Sequence, residues 1–193
     1  SYMKAKVAWI GTGVMGRQQA GHLVRAGYPV KAYSRSYDKV TAQAGEFGFT
    51  PCRTIAQAVE DADFIFVMVG YPQDVESVFL SPGGILESAK RGALAVDMTT
   101  SRPSLAQELY EQAKARGLGL LDAPVSGGDA GAKNATLSIM CGGDEADFQA
   151  ALPLLECMGK NIRHMGPAGF GQHTKAANQI AVAGATATAA AAR

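Results

Sequence analysis

The residues best suited to chemistry lie in one stretch, Gly169-Phe170-Gly171-Gln172-His173-Thr174-Lys175-Ala176-Ala177-Asn178-Gln179. On a helix Lys175, Asn178 and Gln179 fall at i, i+3 and i+4 and share a face, with Gly171 one turn earlier on the same face. An amine there can carry a proton and an amide can fix the oxygen that exchanges it. Gly171 is expected to leave room for a substrate beside the ammonium. A free lysine titrates near ~10.4, so acid or base work near neutrality needs a lower value, which desolvation and a helix N-terminus both favour. Outside such a polar stripe, a helical lysine is an ordinary solvated residue. A second stretch, Leu121-Asp122-Ala123-Pro124-Val125-Ser126-Gly127-Gly128, follows an apolar run. The amides of Gly127 and Gly128 could take a carboxylate there, with the Ser126 hydroxyl as a further donor. A structural turn is the plain alternative.

A third stretch, Gly11-Thr12-Gly13-Val14-Met15-Gly16, has the GxGxxG spacing, directly follows the apolar run Val7-Ala8-Trp9-Ile10 and opens a helical pattern. In that setting Gly11 permits the tight turn, Gly13 the approach of a pyrophosphate to the backbone, and Gly16 close packing of helix on strand. The helix N-terminus adds free N–H groups and partial positive charge. Three packing glycines in an α/β turn would look the same in isolation. An NAD-binding chain usually carries Asp or Glu about 20 residues past the motif, for the ribose 2′-hydroxyl. Here the second strand ends in Ala32-Tyr33-Ser34-Arg35-Ser36. Arg35, with the Ser34 and Ser36 hydroxyls, suits a 2′-phosphate, so NADP is expected ahead of NAD. The competing possibility is a solvated Arg35, or one stacked on adenine. His22, His164 and His173 have no carboxylate or cysteine at ligand spacing, and no metal site is expected.

Taken in order, these segments resemble the β-hydroxyacid dehydrogenase family, which includes 3-hydroxyisobutyrate dehydrogenase, tartronate semialdehyde reductase and the glyoxylate and succinic semialdehyde reductases. The resemblance rests on Gly11 to Gly16, on Asp97-Met98-Thr99-Thr100, on Asp122 to Gly128 and on Gly169 to Asn178. It implies that Lys175 is the catalytic residue and Asn178 a hydrogen-bonding partner. It implies that Ser126, Gly127 and Gly128 hold the substrate carboxylate, and that Thr100 and the loop Met68-Val69-Gly70 touch the cofactor. Hydride exchange between NADP and a small β-hydroxy acid or its semialdehyde is the activity it implies. Where the family often has glycine before Thr-Leu, this chain has Ala135. Family members also carry a helical C-terminal domain beyond the long helix, with much of the dimer interface. A homodimer or higher homo-oligomer of the full-length protein is therefore expected. Two other readings are an NADP-holding module without catalysis and an imine reductase on a similar scaffold.

These residues need a scaffold, and the chain supplies the pattern for one. Short apolar runs at Val7 to Ile10, Val30 to Ser34, Phe64 to Val69, Ala93 to Met98, Leu118 to Leu121, Leu137 to Cys141 and Ile162 to Met165 alternate with helical stretches such as Ser104 to Arg116 and Asp144 to Met158. That rhythm predicts an α/β fold, a Rossmann-type, doubly wound and mostly parallel sheet. Asp144 and Asp147 read as a helix start whose carboxylates satisfy free amides. Residues 1–166 form the expected dinucleotide-binding domain, and 167–193 the start of a long interdomain helix, rich in alanine and unbroken to Arg193. The 193 residues, 47% hydrophobic, suffice for a core without disulfides, and Cys52, Cys141 and Cys157 are read as buried hydrophobes. Eighteen basic against 17 acidic residues leave a net charge of +1 and no footprint for nucleic acid or an anionic membrane. The expected partner is a small-molecule carboxylate, and the expected location is cytoplasmic, with Ser1 and Tyr2 read as a cloning remnant.

Overall fold

The computed structural model describes residues 3–179, and the helical reading of 180–193 lies outside them. The chain runs β1 (Val7–Ile10), α1 (Gly16–Arg25), β2 (Val30–Tyr33), α2 (Tyr37–Phe47), β3 (Thr50–Pro51), α3 (Ile55–Val59), β4 (Phe64–Val67), α4 (Pro72–Leu80), α5 (Ile85–Ser88) and β5 (Leu94–Asp97). It continues through α6 (Pro103–Ala115), β6 (Gly119–Asp122), β7 (Val125–Ser126), α7 (Gly128–Asn134), β8 (Leu137–Gly142), α8 (Glu145–Leu155) and β9 (Gly159–Gly166). A helix here called α9 then covers 170–179.

The first six strands pair in parallel in the order β3-β2-β1-β4-β5-β6, and β8 joins β6 antiparallel, carrying β7 and β9. The strand order reverses between β1 and β4, where an open α/β sheet leaves a crevice beyond its carboxyl ends. Alternation along the strands explains the two helical layers. In β1, Val7 and Trp9 enter one core with Leu23 of α1 and Val40 of α2, while Ala8 and Ile10 enter the other with Val75 and Phe79 of α4 and Leu105 of α6. A strand apolar on both faces must be covered on both. Trp9 stacks on Phe66 of the neighbouring strand, ring centroids 5.2 Å apart.

Local chemistry fixes the element ends. Ser36 caps α2, its hydroxyl accepting from the Lys39 amide, Thr54 does the same for α3 through Gln57, and prolines open α4 and α6. Two expectations are corrected. Asp144 sits at the N-cap of α8 but its side chain caps nothing, because its Oδ1 accepts instead from the Tyr110 hydroxyl at 2.7 Å. Cys157 is only half-buried, unlike Cys52 and Cys141. Ala135, in the place where the family often has glycine, takes up a left-handed conformation with φ of 57° at the end of α7.

Candidate functional site

The reversal between β1 and β4 opens a cleft of about 440 Å³. One wall is the turn after β1, with Gly11, Gly13, Val14, Met15 and Gly16. The other is Met68, Val69 and Gly70 after β4, and Ser34 and Arg35 close one end. The glycines differ in what they do. A Cβ on Gly11, whose φ is +105°, would lie 2.1 Å from the Met68 carbonyl oxygen, and one on Gly16 2.1 Å from that of Gly11. A Cβ on Gly13 would meet nothing within 4 Å, so the bareness of this residue serves no packing purpose. Trp9 Nε1 donates to the Gly11 oxygen at 2.8 Å and holds the turn from beneath. Thr12 is buried, its carbonyl accepting from Gln43 Nε2 at 3.1 Å. This wall of backbone, open at Gly13 and followed by the N-terminus of the ten-residue α1, fits a dinucleotide pyrophosphate.

At the closed end the three predicted residues have different tasks. Ser34 donates to the Ser36 carbonyl at 2.9 Å, and the Ser36 hydroxyl accepts from the Lys39 amide at 3.3 Å, so both hydroxyls first of all build the turn. Arg35 reaches across the cleft to Asp74 in the first turn of α4 and pairs with it. Sequence reasoning missed Asp74, because it lies 39 positions from Arg35 in the chain.

Thr100 is exposed and does not line this cleft. Its neighbour Thr99 is the connected one, its Oγ1 accepting from the Val69 amide at 3.0 Å. Thr99 is itself tied to Asp97, whose Oδ1 accepts from the Thr99 amide at 3.0 Å. From there the contacts run to α9. Gln172, buried on its first turn, donates from Nε2 to the Thr99 oxygen at 2.8 Å and accepts at Oε1 from the Ser101 amide at 2.9 Å. Gln172 had no assigned role, and its glutamine identity alone carries no signal of this clasp.

Asp122 anchors the same helix. Fully buried at the end of β6, it accepts from the Gly169 amide at 2.9 Å and from the Gln172 amide at 3.0 Å. A carboxylate over free helix amides complements their dipole, although burial still pushes its pKa up. A Cβ on Gly171 would lie 2.5 Å from the Met140 oxygen and 2.6 Å from that of Asp122. The bare face of Gly171 is therefore filled by the sheet, which corrects the expectation that it leaves space for a substrate.

Docked in this way, α9 delivers Lys175 to β7. Its Nζ donates to the Val125 carbonyl at 2.6 Å and to Ser126 Oγ at 3.1 Å. Lys175 is 8% exposed, and desolvation lowers its pKa from the ordinary lysine value. Ser126 and Asn178 line one cavity of about 300 Å³ together with Ser138, Asn161 and Arg163. Asn178 is exposed, with Nδ2 3.7 Å from Met140 Sδ. Gly127 and Gly128 lie at the mouth of α7, and among the described residues neither amide donates to a protein acceptor. Lys175, Ser126 and these amides thus share one locality, linked to the cleft through Gln172, Thr99 and Val69. His173 lies exposed on α9, His22 bonds the Ala132 oxygen and His164 the Gly143 oxygen, away from that locality.

Residues 6–166 match the family model described as the NAD binding domain of 6-phosphogluconate dehydrogenase. This chain belongs to that family. It is 49% identical over 181 residues to an uncharacterised oxidoreductase of Bacillus subtilis, covering 94% of this chain and 62% of that protein. It is 40% identical over 178 residues to the 2-hydroxy-3-oxopropionate reductase of Escherichia coli, covering 92% and 60%. Among solved structures, the 3-hydroxyisobutyrate dehydrogenase of Mycobacterium tuberculosis, solved with L-serine, superposes with a TM-score of 0.88 at 34% identity, over 94% of this chain and 61% of that one. The family of nicotinamide-dinucleotide-binding domains, with relatives of the 3-hydroxyisobutyrate dehydrogenase type, agrees with the resemblance in the sequence. The chain spans about three fifths of the length of each of these relatives.

The buried carboxylate beside this network makes stability depend on pH. Burial pushes Asp97 up to about 7, against the pull of its bonds to Thr99, and Asp122 faces it in register on β6. An unfolded Asp releases its proton near ~3.9, so the native chain holds a proton that the unfolded chain has lost between those values. Stability is expected to fall as pH rises from about 4 to about 7, by up to about 4 kcal/mol, and to level off above. Asp97→Asn keeps an oxygen for the Thr99 amide and removes the titration. Urea midpoints compared at about pH 5 and about pH 8 are expected to fall in the wild type and stay flatter in the variant. Equal slopes would contradict this assignment.

Proposed function

We propose that this chain is the cofactor-binding part of an oxidoreductase that exchanges a hydride between NADP and a small β-hydroxy acid or its semialdehyde. The observation that carries the reading is the buried Lys175 amine bonded to Ser126, next in the chain to two glycine amides that no acceptor among the described residues engages. NADP is favoured over NAD because Arg35, with no carboxylate in its own turn, stands at the end of the cleft. Gly11, Thr12, Gly13, Val14, Met15 and Gly16 would hold the pyrophosphate, Ser34, Arg35 and Ser36 the 2′-phosphate, and Met68, Val69 and Gly70 the facing wall. The nicotinamide supplies or takes the hydride.

The remaining work falls to the chain's own side chains. The Gly127 and Gly128 amides and the Ser126 hydroxyl grip the substrate carboxylate, which fixes the reacting carbon against one wall. Lys175 donates its proton to the oxygen that becomes negative during reduction, and takes it back in oxidation. Two of its N–H bonds are held by Val125 and Ser126, which leaves the third for that oxygen. Its lowered pKa makes the ammonium a better acid and the amine more available as a base near neutrality. Asn178, one turn on, steadies the same oxygen.

The test is a panel of aldehydes offered to the intact protein with NADPH: glyoxylate and the succinic, tartronic and methylmalonic semialdehydes, each beside an analogue lacking the carboxylate. A site built for that group rejects its absence, so kcat/KM is expected to drop at least ~100-fold for the analogues. Ser126→Ala is expected to raise KM for the acids by about tenfold, from loss of one charge-assisted bond. Equal turnover of acids and uncharged analogues would overturn the carboxylate site.

A further inference from the structure

The pair between Arg35 and Asp74 joins the two rims of the cleft at the end assigned to the 2′-phosphate, and both residues line the same space. The partners are not equally free. Arg35 is 79% exposed on a turn, whereas Asp74 is 19% exposed and fixed at the third position of α4. Its Oδ2 accepts from the Tyr71 amide at 3.1 Å, the returning bond of a capping box at the start of the helix, and its Oδ1 faces Arg35. Pro72 at the start of the helix stiffens the same turn. An exposed ion pair of this kind adds little to folding, so the guanidinium is easily drawn elsewhere, but the carboxylate stays where the helix puts it.

We propose that Asp74 sets how strongly this site prefers the 2′-phosphorylated dinucleotide, by competing with that phosphate for Arg35. The inference rests on the reading of Arg35 as the 2′-phosphate ligand. An anion gripping the same guanidinium must either displace Asp74 or share the charge with it, and either way a fixed negative group stands beside a second one. A ribose hydroxyl suffers no such repulsion and finds Arg35 already neutralised. Asp74 thus holds the preference for NADP below what Arg35 alone would give, and leaves NAD usable. The sequence rule that looks for an acidic residue at the end of β2 overlooks this carboxylate, since it arrives from α4.

The experiment is a fluorescence titration of the intact protein with NADPH and NADH, comparing wild type, Asp74→Asn, Asp74→Gln and Arg35→Ala. Both neutral replacements of Asp74 retain an oxygen for the Tyr71 amide, Gln being a natural capping-box residue, so one serves if the other fails to fold. Removing a unit negative charge beside the phosphate is expected to raise the ratio of NADPH to NADH affinity about tenfold, with NADH affinity changed less than about threefold. Arg35→Ala is expected to lower NADPH affinity by tenfold or more, to about the level of NADH. An unchanged ratio in both Asp74 variants, with NADPH weakened in Arg35→Ala, would overturn the role of Asp74 and leave the cofactor reading standing. No change in NADPH affinity in Arg35→Ala would overturn that reading and this inference with it.

Discussion

Lys175→Ala is expected to lower kcat for semialdehyde reduction by at least ~1,000-fold while leaving NADPH affinity within about threefold of wild type. The variant removes the amine that is bonded to Ser126, and the Val125 carbonyl and Ser126 hydroxyl that it bonded remain. Lys175 does not line the β1–β4 cleft, so dinucleotide binding should not sense its loss. Lys175→Arg tests the same point in a second way. It keeps the charge, but a guanidinium cannot give up its proton near neutrality, so it is expected to rescue little. In the wild type, reduction should fail as pH rises through the lowered lysine pKa, because the acid form is lost, and oxidation should gain over the same range. Steady-state rates across pH, together with NADPH titrations, would show whether kcat alone moves. A loss confined to KM, or a rate within tenfold of wild type, would place the proton transfer elsewhere.

The second large effect separates two tasks that one motif combines. Gly13→Ala meets no atom within 4 Å, so its thermal midpoint without cofactor is expected to stay within about 2 °C of wild type. Dinucleotide affinity is nevertheless expected to fall by ~30-fold or more, since the added methyl occupies the face along which the pyrophosphate must approach. Gly11→Ala should behave in the opposite order. Its Cβ would fall 2.1 Å from the Met68 oxygen in a backbone conformation foreign to alanine, so a loss of about 2–4 kcal/mol in stability is expected before any cofactor is added. If the three glycines served packing alone, Gly13→Ala would leave both stability and affinity untouched. Melting curves and titrations of the two variants decide between the readings.

These contrasts show which parts of the molecule can be read from a sequence. The turn Gly11 to Gly16 is a local object, six consecutive residues from the end of a strand to the first residue of a helix, and its position follows from the chain alone. The sheet was equally legible, because strands buried on both faces read as short continuous apolar runs, and their alternation with helical stretches is the mark of a parallel sheet covered on both sides. The proximity of Lys175 to Ser126 was reachable only through resemblance, since the two are 49 positions apart in the chain. What stayed hidden were bonds whose partners meet only after folding. Gln172 reaches back 73 residues to Thr99, and Asp122 reaches forward 50 to the Gln172 amide. Gly171 was misread for the same reason. A helical wheel shows that it lies on the Lys175 face, but only the docking of α9 against β6 and β8 shows that backbone fills the space. Short strands such as β3 and β7, two residues each, carry too little periodicity to announce themselves.

The most direct test of the hydride-transfer reading uses NADPH deuterated on the transferring carbon of its nicotinamide, given to the intact protein with a small carboxylate-bearing semialdehyde. Deuterium is expected on the hydroxyl-bearing carbon of the product, at a rate that collapses in Lys175→Ala. Bound NADPH that passes no label to any member of the aldehyde panel would contradict hydride transfer by this protein.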